Sequence, residues 1–191
     1  MYQKRNKELE IISLYTGDYK ARFYLRQIAK LSKLPLKTCQ NVLARLEENK
    51  MLRNWLEGRN KYFSLNLDNI QTKSWLLQAE IHKTDRFIAN YPEIKTFLKA
   101  FNTNSLVIVF GSFARLKADK NSDMDLLVVS EKEKLPYHLL PYKAHQIDLS
   151  EDAFINGITA GEALMKEVEK NHIILNNHSL YINIVWGHYG K

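Results

Sequence analysis

The residues best suited to chemistry are three aspartates and one Gly-Ser pair. Asp123 and Asp125 open the run "DMDLLVVS", whose apolar remainder reads as a buried strand. Strand side chains alternate, so the two carboxylates share a face and Met124 takes the other. Their separation along the strand is roughly 6.6 Å. Carboxylates so placed can converge on divalent ions of the kind that assist phosphoryl chemistry. Magnesium suits such a site, with manganese as the alternative, because it accepts hard oxygens and completes its shell with water and substrate phosphates. Gly111-Ser112, at the end of the β-branched run "SLVIVF", supplies the other half. A glycine lets backbone approach phosphate closely, and a helix opening at Ser112 directs free N–H groups toward it. In "AHQIDLS", Gln146, Asp148 and Ser150 alternate with Ile147 and Leu149. On a strand beside the first, Asp148 is expected to ligate the metal and activate an attacking hydroxyl.

Competing motifs fail at identifiable residues. "DKNSDMD" starts like an EF-hand loop, but Met124 stands at the required glycine and Ser130 at the closing glutamate. Neither GxGxxG nor GxxxxGK[ST] occurs. Six histidines and the single cysteine, Cys39, show no zinc-ligand spacing, and one cysteine cannot form an intramolecular disulfide.

Gly-Ser, ten residues, Asp-x-Asp and a later strand aspartate resemble the nucleotidyltransferases of the DNA polymerase β superfamily. The "GSFAR" opening and "SDMDLLV" closing are most similar to the minimal nucleotidyltransferases, which include antitoxin partners of HEPN ribonucleases. The resemblance covers about residues 95–185. It implies transfer of a nucleoside monophosphate from an NTP, ATP being the expected one, to a hydroxyl with release of pyrophosphate. Gly111, Ser112 and Arg115 would hold the nucleotide, Asp123 and Asp125 the metals, and Asp148 would be the third ligand or base. One position departs from the pattern: the family has glycine after the Ala-Arg pair, and Leu116 stands there.

These motifs need a scaffold, and the rest of the chain suggests two modules. The formal charge of +7 lies entirely in residues 1–70, which hold 14 Lys and Arg against 7 Asp and Glu. Residues 71–191 balance at 14 each. Within the basic third, Leu9, Ile12 and Tyr15 fall on one helical face, and Leu25, Ile28 and Ala29 on a second. A third helix from Pro35 to Asn49 has Cys39, Val42, Leu43 and Leu46 as its apolar stripe. Two alternating runs around "EGRN" then form a hairpin. About residues 5–67 thus resemble a winged helix-turn-helix, which implies a recognition helix in the major groove and a wing on the backbone. Lys37, Thr38, Gln40, Asn41 and Arg45 would line the helix, and Arg59, Asn60 and Lys61 the wing tip. Gln40 and Asn41 suit adenine edges, whereas Lys37, Arg45, Arg59 and Lys61 suit phosphates. The bland alternative is a module for protein contacts whose charges are only solvated. Trp55 and Trp75 read as packing residues rather than base-stacking platforms.

The predicted fold class is α+β. Residues 1–67 form a winged helix of three helices plus a β-hairpin, residues 68–101 a helical connector, and residues 102–191 a small mixed-sheet nucleotidyltransferase domain. Pro92 starts the connector's second helix, with Ile94, Phe97, Leu98 and Phe101 inward. No apolar run approaches the roughly 20 residues that span a bilayer, and no apolar segment follows the basic N-terminus. A cytoplasmic protein without membrane contact is expected. Two functions compete: an NTP-dependent transferase acting on a protein partner, and a DNA-binding regulator whose second domain senses nucleotide. The shortness of the chain favours a partner that supplies the acceptor. Duplex DNA, a HEPN-type protein and a second copy of the chain are the partners considered.

Overall fold

The computed structural model describes residues 6–119, 121–129 and 134–190. The chain divides between His82 and Lys83 into two compact units.

In the first unit, Asn6 caps helix α1 (Lys7–Ile12) by accepting the N–H groups of Glu8 and Leu9, both at 3.2 Å. A 3-10 turn (Ser13–Tyr15) follows, then a two-residue strand β1 (Phe23–Tyr24) and helix α2 (Leu25–Ser32). Lys33 closes α2 in the left-handed region, at φ 56°. Helix α3 (Leu36–Glu48) begins one residue later than predicted, because Pro35 holds extended backbone at ψ 142° and serves as the cap. Its stripe of Cys39, Val42, Leu43 and Leu46 is buried as the periodicity requires. Strands β2 (Leu52–Glu57) and β3 (Asn60–Leu65) pair in the predicted hairpin, with Glu57 opposite Asn60 and Gly58 at φ +60° in the tip. Strand β1 adds to β3 antiparallel, giving the order β1-β3-β2. Two residues are too few to show periodicity, so β1 was not predicted. Phe63 points into the core, while Trp55 stacks on Tyr62 on the other face with ring centroids 6.0 Å apart.

Helix α4 (Ile70–Asn90) crosses the division of the chain. The division falls within residues 68–101, the segment expected to connect the two modules. Its later residues Phe87, Ile94 and Phe97 belong to the core of the second unit. Pro92 opens a 3-10 turn (Pro92–Ile94) before helix α5 (Lys95–Lys99).

The second unit is built on strands β4 (Leu106–Phe110), β5 (Met124–Val129), β6 (Ala144–Leu149) and β7 (Ile173–Asn176). The order is β6-β5-β4-β7, with β4 antiparallel to both neighbours and β5 parallel to β6. Val107, Val109, Met124, Leu126 and Val128 face the core formed with Phe87, Phe97 and Phe113. Leu106, Ile108 and Leu127, of opposite parity, are fully buried too. The two central strands are covered on both faces, which is why they read as unbroken apolar runs. Between β4 and β5 lies one helical turn, α6 (Gly111–Ala114). Helices α7 (Glu151–Ala160), α8 (Ala163–Lys170) and α9 (His178–Tyr189) complete the unit, with α9 packed on β4. Among the described residues no helix is long and apolar enough to cross a membrane.

Candidate active site

Strand β4 delivers the chain to Gly111, whose φ of +68° is one that side-chain-bearing residues rarely adopt. The register sets Phe110 opposite Asp125, so the Asp125 carboxylate lies against Gly111. A Cβ on residue 111 would overlap Asp125 Oδ2 and stand 3.3 Å from Cγ. Glycine is thus required twice, by the backbone and by the carboxylate. Ser112 is half-buried in the same turn.

The turn ends in a Schellman motif, with the N–H of Lys117 donating to the Ser112 carbonyl and that of Leu116 to Phe113. Leu116 occupies the left-handed C′ position at φ 54°, where glycine is the usual residue. The departure noted at Leu116 therefore leaves the turn in place and strains one residue. Arg115 makes an exposed ion pair with Glu167 on α8 at 3.3 Å.

Asp119 is engaged within its own turn. Its carboxylate accepts the Asn121 N–H at 2.9 Å and the Ser122 hydroxyl at 3.1 Å, and these bonds hold it below the usual carboxylate range. The turn leads to Asp123, which is exposed and immediately precedes β5. Asp125 is inside the strand with its side chain 32% exposed, open enough to meet a solute.

Asp148 lies apart from the other two aspartates. In the parallel β5–β6 pair, Asp125 stands opposite His145, and Asp148 stands opposite Val128. Residues in register point to one side of a sheet, so Asp148 shares the face of Met124, Leu126 and Val128. It is also displaced from Asp125 by three residues, about 10 Å of strand. Tyr137, packed against the Phe97 and Val128 core, has its pKa pushed up to about 12 by burial and then by the charge of Asp148. The Asp148 carboxylate accepts a hydrogen bond from Gln146, its neighbour on that face. Sequence alternation identified which residues of β6 share a face, but could not say which face turns toward Asp125.

The residue brought to Asp125 is His145, with Nδ1 3.4 Å from Oδ1. His145 has the parity of Ile147 and Leu149, an apolar set, so the alternation carries no signal for it. Among the described residues no three His, Cys, Asp or Glu side chains are already gathered as metal ligands. The donor chemistry still fits a divalent ion. Magnesium is often held by one or two carboxylates and completed by substrate phosphates; Asp125 lies against the Gly111 turn, and Asp123 is exposed two residues before Asp125.

In the first unit, Lys37, Gln40, Asn41 and Arg59 are exposed, and their side chains make no hydrogen bond or ion pair among the described residues. Arg45 and Lys61 differ. Arg45 pairs with Glu8 at 3.1 Å, and Lys61 with Glu47 at 2.7 Å. Two of the four cations expected to meet phosphate thus already face carboxylates.

No curated protein and no solved structure matches the chain. Residues 92–176, which include Gly111, Ser112, Asp123, Asp125, His145 and Asp148, match the family model of the nucleotidyltransferase domain.

Proposed function

We propose that the second unit transfers a nucleoside monophosphate from an NTP, ATP in the first instance, to a hydroxyl on a protein partner. The observation that carries this reading is the close approach of Gly111 to Asp125 within the segment matched to the nucleotidyltransferase domain. In the proposal, the Gly111-Ser112 turn receives the triphosphate, since glycine lets the backbone approach phosphate closely. Asp123 and Asp125 hold the divalent ion, which when bound neutralises phosphate charge and polarises the transferring phosphoryl group. Arg115, at the rim, leaves Glu167 for the nucleotide. Acceptor specificity resides with the partner, a HEPN-type protein being the candidate, and the protein acts as its cytoplasmic antitoxin.

The first unit is proposed to be a winged helix that binds duplex DNA. Its element order of α1, β1, α2, α3 and a β2–β3 hairpin, with Lys37, Gln40, Asn41 and Arg59 outward, supports that reading. A homodimer would match a two-fold operator.

A second reading, a regulator that binds nucleotide without turnover, is favoured by the placement of Asp148 away from Asp125. Transfer of label from α-32P-ATP by the purified chain, with and without a HEPN-type partner, decides between them. Labelled partner supports the transferase. Saturable ATP binding with no labelled product supports the regulator.

A further inference from the structure

We infer that His145 is a ligand of this site and turns its ion preference from magnesium toward first-row transition ions, of which manganese, the weakest for nitrogen donors, is the most stringent probe. The inference deepens the reading above and rests on it. Only β6 residues of the parity of His145 reach the face of Asp125, and the register sets His145 itself opposite that aspartate. Asp125 Oδ2 is directed at the Gly111 backbone, while Oδ1 looks to His145 Nδ1 at 3.4 Å. An ion on the Oδ1 side therefore has an imidazole nitrogen as its next protein donor. The carboxylate that a three-aspartate site would use is on the opposite face, beside Val128.

The two side chains are 66% and 32% exposed, so the ring is free to turn its nitrogen onto an ion without rearranging the strand. Exchanging a third carboxylate for imidazole removes one negative charge and replaces an oxygen donor by nitrogen. Magnesium loses on both counts, because it takes hard oxygens and gives up its water reluctantly. Transition ions lose less, since imidazole suits them and affinity for nitrogen sites rises along the first row from manganese onward.

The test uses the tag-free full chain and Mn2+ alone, without nucleotide. Free Mn2+ is read by electron paramagnetic resonance, and Mg2+ is added as competitor. The wild type is expected to hold Mn2+ against a large excess of Mg2+. His145→Ala should weaken Mn2+ by roughly tenfold or more, the scale on which ligand-shell losses act, and leave Mg2+ affinity nearly unchanged. His145→Asp should restore binding while narrowing the Mn2+ to Mg2+ ratio. Circular dichroism confirms folding of each variant, which the exposure of His145 favours. Loss of Mn2+ in Asp125→Asn with no change in His145→Ala overturns the role of His145 alone. Absence of Mn2+ binding in the wild type, or binding indifferent to Asp125→Asn, overturns the underlying site with it.

Discussion

Asp125 Oδ2 lies where the Cβ of any residue but glycine at position 111 would have to stand. The left-handed backbone of Gly111 and the carboxylate on the neighbouring strand are consequently one structural unit. Gly111→Ala is expected to cost about 1–3 kcal/mol, from a left-handed alanine and the displaced carboxylate together. Urea unfolding would measure it. Asp125→Ala removes the overlapping oxygen and keeps a Cβ 3.6 Å away, so Gly111→Ala should cost less in that background than in the wild type, and an equal cost would reject the steric account.

Leu116 offers the opposite experiment. Its φ of 54° places a branched, 41% exposed side chain where the Schellman turn favours glycine. A left-handed non-glycine residue costs about 1–2 kcal/mol, and glycine's greater freedom in the unfolded chain returns about 0.5–1 of that. Leu116→Gly should therefore stabilise the protein slightly and raise its melting temperature, whereas Leu116→Ala should not. A lower melting temperature for Leu116→Gly would show that the leucine makes contacts outweighing its backbone strain.

Asp123→Asn and Asp125→Asn should abolish nucleotidyl transfer while preserving circular dichroism, because β5 is held by Leu126 to Val129 rather than by the carboxylates. Asp148→Asn should leave Mn2+ binding intact, as it sits opposite Val128. If Asp148→Asn instead removes the ion as fully as Asp125→Asn, the three aspartates act together and the β5–β6 register in solution differs.

What the sequence made legible was parity, and what it concealed was register. The alternation of "AHQIDLS" correctly groups Gln146 with Asp148, yet the parallel pairing that turns their face away from Asp125 depends on contacts between distant segments. The apolar runs of β4 and β5 were readable because both faces are buried, and the α3 stripe because its period is helical. Strand β1 had no such signal. The pairing of Lys61 with Glu47, 14 residues away, needed the hairpin folded beside α3.

Three tyrosines predict the alkaline behaviour. Burial raises the pKa of Tyr15, and it pushes Tyr137 and Tyr142 up to about 12, with the charge of Asp148 adding at Tyr137 and Glu93 adding at Tyr142. A raised folded pKa means that the unfolded chain releases its protons first. Stability from these groups is complete below pH 10 and should decline as pH rises from about 10 to 12. Absorbance at 295 nm should show a late phase of tyrosine ionisation above the ordinary tyrosine range. Ionisation of all ten tyrosines in one step near pH 10, with the fold intact, would contradict the assignment.

The basic unit can be tested by salt. If it binds duplex DNA, each cation that meets phosphate releases counterions and steepens the fall of affinity with salt, by roughly 0.9 in logarithmic slope. Among the described residues Lys37 and Arg59 are exposed without a carboxylate partner, whereas Arg45 and Lys61 must first leave Glu8 and Glu47. Lys37→Ala and Arg59→Ala should thus each flatten the slope by nearly one, and Arg45→Ala and Lys61→Ala by much less. Removing the partner reverses this: Glu47→Gln should release Lys61 and strengthen binding at low salt. Gln40→Ala and Asn41→Ala should leave the slope alone and reduce discrimination between sequences, since amides read base edges without neutralising phosphate. Gel-shift titrations of the full chain across salt concentrations would provide all of these values. Equal slope changes for Lys61 and Arg59 would mean that the Glu47 pair opens freely. Absence of duplex binding even at low salt would assign this face of the first unit to a protein partner.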